Sequence, residues 1–144
     1  MTQPGRPVTV DDSPALGSTA DRTREWCRIA ARAAAEKRGE DTLILAVGPI
    51  LLITDAFVVT HGANARQVRT IAEEVEEAVK RAGGPGPLRI EGLDDARWVL
   101  MDYGAFVVHV FLEEVRRFYD LERLWADAER WPWEDEQAVL TAGQ

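Results

Sequence analysis

Apolar residues along the chain recur with two different periods. From Asp21 to Lys37, Trp26, Ile29, Ala30 and Ala33 return at three- and four-residue steps, which predicts an amphipathic helix stopped by Gly39. Ser18, followed three residues later by Asp21, forms a capping-box variant at its start. A second stripe, Val68, Ile71, Ala72, Val75, Ala78 and Val79, predicts another helix, capped by Asn64 and ending near Ala82. Its opposite face carries Glu73, Glu74, Glu76, Glu77 and Lys80; a solvated face with a modest Glu76–Lys80 pair accounts for that run. Between the helices, Thr42–Val47 and Ala56–Thr60 are short apolar runs that predict strands, the first covered on both faces. Gly48-Pro49 breaks the first run, and Ile50–Ile53 reads equally as a turn of helix or an extended connection.

The second half is dominated by strand patterns. Gly83–Pro87 ends the helix, Leu88–Glu91 reads as a short strand, and Asp94-Asp95 marks a turn. Arg97–Tyr103 and Ala105–Phe111 read as two strands with Gly104 at a tight hairpin. A last helix is predicted from Leu112 over Glu113–Tyr119, with 121–127 continuing it or forming an irregular turn. This order predicts an α/β (α+β) fold, a mixed β-sheet with packed helices. Residues 1–18, rich in Pro, Gly, Ser and Asp, are expected to form a flexible N-terminal arm. One domain is expected over 19–128, followed by an acidic C-terminal tail at 129–144 that includes Trp131-Pro132-Trp133.

Strand alternation makes the hairpin the most informative part of the chain. Trp98, Leu100 and Asp102 share one face of their strand; Val99, Met101 and Tyr103 share the other. The partner strand divides into Phe106, Val108 and Val110 against Ala105, Val107, His109 and Phe111. Both faces are apolar enough to need cover, yet only three helices are evident. Helices on both sides satisfy the pattern; so does a second copy or a partner seated on one face. Trp98 and Tyr103 are residue types enriched at binding hot spots.

Candidate chemistry is sparse. His109, in an apolar strand, reads first as a hydrogen-bonded structural residue, and His61 as a surface histidine. His61-Gly62-Ala63-Asn64 is a strand–turn–helix junction whose amides can hold an anion, although capping by Asn64 explains it without a ligand. Asp55 and Asp102 are the carboxylates best placed for Mg²⁺, but turn chemistry explains Asp55 and nothing supplies nucleotide-binding partners. No catalytic, cofactor or metal set is therefore expected. Arg116, Arg117, Tyr119, Asp120 and Glu122 form a dense polar group, read as Arg–carboxylate pairs fastening helix to sheet or as the rim of an interface. The single cysteine, Cys27, reads as a buried inert thiol.

Charge narrows the partners. The 144 residues carry a net charge of −8, which argues against direct DNA binding and suits a basic protein partner. The start of the chain lacks a signal-peptide pattern and no apolar run is long enough for a membrane, so a cytoplasmic protein is expected.

Three blocks carry a family resemblance: ITDAFVVTHGANARQVRTIAEEV from Ile53 to Val75; Glu91-Gly92 with Trp98–Asp102; and VVHVF from Val107 followed by EEVRRFYDLERLW from Glu113 to Trp125. In these the chain resembles the ribosomal silencing factors, also called the Iojap family, over about residues 20–127. The resemblance implies a nucleotidyltransferase-like topology without the catalytic acids, since Gly62 is followed by Ala63-Asn64-Ala65-Arg66 and no alternating acid pair. Ala56 and His61 depart from the Tyr and Ser usual at those positions. It also implies a translational repressor, not an enzyme. Such a protein binds the large ribosomal subunit through a basic ribosomal protein, universal large-subunit protein fourteen, on its intersubunit face, and pairs as a homodimer when free. Trp98, Leu100, Met101, Asp102, Tyr103 and Tyr119 are the expected partner-binding residues. The alternatives are a metal-dependent nucleotidyltransferase and a dimeric adaptor with a non-ribosomal partner.

Overall fold

A computed structural model describes residues 18–134; the expected arm at 1–17 and the tail segment 135–144 lie outside the described residues. Eleven elements follow in order: α1 (Thr19–Glu36), β1 (Glu40–Ala46), α2 (Gly48–Leu51), β2 (Ala56–Gly62), α3 (Ala65–Arg81), β3 (Arg89–Glu91), β4 (Trp98–Asp102), β5 (Phe106–Leu112), α4 (Glu113–Tyr119), α5 (Leu121–Leu124) and β6 (Glu129–Arg130). The strands form one six-stranded mixed sheet in the order β3-β4-β5-β2-β1-β6. Among the described residues only β2 and β5 pair in parallel. All seven residues of β2 are buried, which is why that strand reads as an almost unbroken apolar run.

The two helix predictions hold almost to the residue. Ser18 accepts from the Asp21 amide and the Asp21 carboxylate accepts from the Ser18 amide, closing the capping box of α1. Asn64 caps α3 by accepting from the Gln67 amide. On the solvated face of α3 the ion pair joins Arg81 to Glu74 at 3.0 Å. Ile50–Ile53, ambiguous in sequence, divides: α2 ends at Leu51, and Leu52 turns left-handed at φ +69°.

Both long helices cover the same side of the sheet. Cys27, Ala30, Ala31 and Ala34 of α1 and Val68, Ile71, Val75 and Val79 of α3 pack on Ile44, Val58, Val99, Met101, Val108 and Val110. An alanine stripe lets α1 lie close to the strands, where larger side chains would hold it off. Two glycines are required by backbone geometry. Gly104 closes the β4–β5 hairpin at φ +85°, and Gly92, at φ +90°, lies so close to the Trp98 carbonyl that a Cβ would collide with it.

Residues 129–133 of the C-terminal extension are built into the fold. β6 pairs with Leu45 and Ala46, the Trp131 amide donates to the Ile44 carbonyl at 3.0 Å, and Trp133 Nε1 donates to the Thr42 carbonyl at 2.9 Å. Arg32 Nε in turn donates to the Trp133 carbonyl, and Arg24 lies 4.5 Å over the Trp131 ring. Glu129–Trp133, expected as part of a tail, therefore lie as a strap along β1. Sequence pattern could not show this, because a two-residue strand has no period.

Overpacking at the alanine stripe tests this layer. Ala31→Leu is expected to cost about 1–3 kcal/mol, read as a lower urea midpoint at unchanged m-value.

Candidate functional site

The other side of the sheet is covered by less. Leu45, Val47, Phe57, Val59, Phe111 and Val115 form its buried apolar cluster; Trp98, Val107, Leu121 and Trp125 pack around them and are only partly covered. Antiparallel register places Trp98 opposite Phe111, Leu100 opposite His109 and Asp102 opposite Val107, so these six side chains share this side. The short helices α4 and α5 cross one end. Tyr119 packs tilted against Trp98 at 4.8 Å between ring centroids, Trp98 lies tilted on Phe111 at 4.8 Å, and Trp125 meets Phe57 edge-on at 5.7 Å. Tyr119 and Leu124 remain exposed beside them, and Phe118 is 80% exposed.

This geometry sorts the six expected partner-binding residues. Trp98, Leu100 and Asp102 lie half-buried on the open face, with Tyr119 at its rim. Met101, at 0% exposure, and Tyr103 lie on the opposite side beneath the two long helices. Their alternation with Trp98 makes this unavoidable: a strand residue cannot share a face with its neighbour. Tyr103 stacks on Phe106 at 4.5 Å, and burial pushes its hydroxyl up to about 12. Neither side chain is available to a partner.

His109 anchors the aromatic face. Its Nδ1 accepts from Trp98 Nε1 at 3.1 Å, which puts the ring hydrogen on Nε2. Phe57 meets the imidazole edge-on at 4.6 Å, and among the described residues Nε2 has no polar partner. Burial holds the imidazole at about 4, well below its ordinary 6.5, so it is neutral at physiological pH.

Arg116 fastens α4 and α5 over this face. It is buried, and its Nε and one terminal nitrogen both donate to the same oxygen of Glu122, at 3.0 and 2.8 Å. Its other donors reach the carbonyls of Glu40 and Asp41, at 3.1 and 2.7 Å, and His61 Nδ1 at 2.9 Å. Those carbonyls are turned out of the ladder by a register shift in β1, where Asp41 adopts φ +48°. His61 is thus no surface histidine. It is 5% exposed, accepts from Arg116 and faces the Glu40 carboxylate through Nε2 at 3.4 Å. An apolar strand end gave no sequence signal for this, since the guanidinium arrives from a helix 55 residues away.

The remaining candidates are occupied by structural tasks. Gln67 accepts from the Ala63 amide and donates to the carbonyls of Lys37 and Arg38, so the turn before α3 is closed by its own side chains. Asp102 accepts from the Gly104 amide at 2.8 Å and faces Arg89 at 3.6 Å, which spends it on the hairpin. Among the described residues no three His, Cys, Asp or Glu side chains come together as a metal cluster. Cys27 is fully buried, and burial pushes its thiol up to about 12.

The sheet is sealed on one side and leaves an aromatic face partly open on the other. Comparison with known proteins gives this architecture a family. The model described as "ribosomal silencing factor during starvation" matches residues 20–143. A ribosomal silencing factor of Bacillus subtilis is 45% identical over 101 residues, 70% of this chain and 85% of that one. A crystal structure of a Chromobacterium violaceum protein superposes with a TM-score of 0.68 at 34% identity, covering 72% of this chain and 85% of that one. More distantly, a mouse protein named "mitochondrial assembly of ribosomal large subunit protein 1" is 29% identical over 92 residues, 62% of this chain and 40% of that one. The chain belongs to the ribosomal silencing factors, a regulatory family and not an enzyme family.

Two measurements probe the site. His109 binds its proton more weakly folded than unfolded, so its contribution to stability is complete above pH 6.5 and is lost as pH falls from there toward 4. A loss of about 3 kcal/mol is expected across that window by urea denaturation, with the slope shallower in His109→Phe. Arg116→Ala strands Glu122 and should cost about 3–5 kcal/mol, with Trp125 becoming more accessible to acrylamide quenching.

Proposed function

We propose that the open aromatic face is where this protein meets the large ribosomal subunit. The occupant is a basic ribosomal protein on the intersubunit face, universal large-subunit protein fourteen. With that surface taken, the small subunit is sterically blocked from joining. Translation is damped when nutrients are short, and no bond is made or broken. The setting is the cytoplasm, where free subunits meet.

One observation carries the reading: aromatic and aliphatic side chains on the Trp98 side of the sheet are incompletely covered, next to exposed Phe118, Tyr119 and Leu124. Such a patch is typical of an interface centre with a polar rim. Glu113 and Glu114 at the start of α4 supply carboxylates for basic groups. The family's printed description, silencing during starvation, supports the direction of the effect. The mouse relative's name ties a member of the same lineage to the large subunit. In free protein the same face is expected to pair with a second copy, which keeps Phe118 and Leu124 from water until a subunit replaces it.

Tyr119→Ala and Leu100→Arg each change a side chain that the core does not need. Each is expected to weaken co-sedimentation with purified large subunits about tenfold or more, while urea midpoints stay near wild type. Undiminished binding by the double variant, with subunit joining still inhibited, would place the ribosome elsewhere on the molecule.

A further inference from the structure

Away from the aromatic face, an open cleft of about 740 Å³ lies between α1 and the Glu129–Trp133 strap. Thr42–Ile44 of β1, Trp131 and Trp133 line it together with Arg24, Arg28 and Arg130. The chain as a whole carries −8, yet among the described residues the cleft lining holds these three arginines and one acid, Glu134. Basic charge has been gathered here against the overall balance.

The indoles are held by built contacts. Trp133 is fixed at both ends, through Nε1 on the Thr42 carbonyl and its own carbonyl on Arg32. Arg24 lies over Trp131, which strips one side of the guanidinium of water and leaves its in-plane donors for an anion. Neither Arg24 nor Arg130 forms an ion pair with a described residue. Arg28 pairs with Glu25 at 3.1 Å, but both side chains are more than a third exposed, so that contact yields readily to a stronger anion.

We infer that this cleft binds a nucleotide, its base against the Trp133 indole and its phosphates among Arg24, Arg28 and Arg130. Indoles offer every base a stacking surface, and guanidinium forks match phosphate geometry. The volume falls within the range of about 300–1,000 Å³ usual for small-ligand sites. An acidic peptide would satisfy the arginines and leave the indoles without a planar partner. A free nucleotide and an unpaired nucleotide of RNA present the same chemistry. The cleft lies along β1, three strands from β4, so this inference stands or falls separately from the ribosome-binding reading.

Calorimetry on the full chain tests it with four probes: GDP, guanosine, inorganic pyrophosphate and a short single-stranded RNA. GDP is expected to bind with Kd below about 1 mM, and guanosine and pyrophosphate each at least about tenfold more weakly. Arg28→Gln with Arg130→Gln should abolish binding while the melting temperature moves little, because Arg130 is exposed and Arg28 gives up only a partly exposed surface ion pair. RNA binding much more tightly than GDP assigns the site to RNA, and equal affinity assigns it to free nucleotide; either supports the inference. Absence of GDP and RNA binding at millimolar concentration, pyrophosphate binding as tightly as GDP, or full retention in the double variant would overturn it.

Discussion

Two adjacent strands, β2 and β5, are apolar on both sides, and everything else in the molecule answers that demand. On one side α1 and α3 bury the strands completely with an alanine stripe and a valine-isoleucine stripe. On the other, the cover is a seven-residue helix, a four-residue helix and the aromatic rings they carry. Short helices have few positions to pack and little intrinsic stability. Their place on the sheet is held instead by the Arg116 guanidinium, which ties α4 to Glu122 and to two carbonyls of β1. A buried cation with five contacts thus does for the open face what two stripes of apolar side chains do for the closed one.

That inequality underlies the proposed docking face. A face sealed by two long helices cannot serve a partner without unfolding. One covered by packed aromatic rings, with Phe118 and Leu124 in water, can add a partner with little rearrangement. His109 contributes rigidity, because its bond from Trp98 fixes the indole in one orientation before any partner arrives.

Periodicity made the two long helices, the hairpin at Gly104 and the two-sided need of the Trp98 strand legible in the sequence, since each rests on spacing within one segment. Family blocks pointed to the same region and to the same class of protein. Alternation alone separated Trp98, Leu100 and Asp102 from Met101 and Tyr103, but naming the outward set required knowing where α1 and α3 land. Contacts between distant segments stayed hidden. His61 looked like a surface residue because its partner Arg116 comes from another element, and Trp131 and Trp133 read as part of a terminal extension because their partners are carbonyls of β1. Backbone acceptors leave no mark on a sequence.

The strap has a consequence for how the protein is made. Trp133 meets the Thr42 carbonyl across 91 positions of chain, so β1 is synthesised long before the segment that closes its outer edge. An emerging chain therefore carries an open strand edge while the rest of the sheet assembles, the state in which wrong pairing is easiest. Vectorial synthesis leaves the outer edge of β1 unpaired until Glu129–Trp133 have been made.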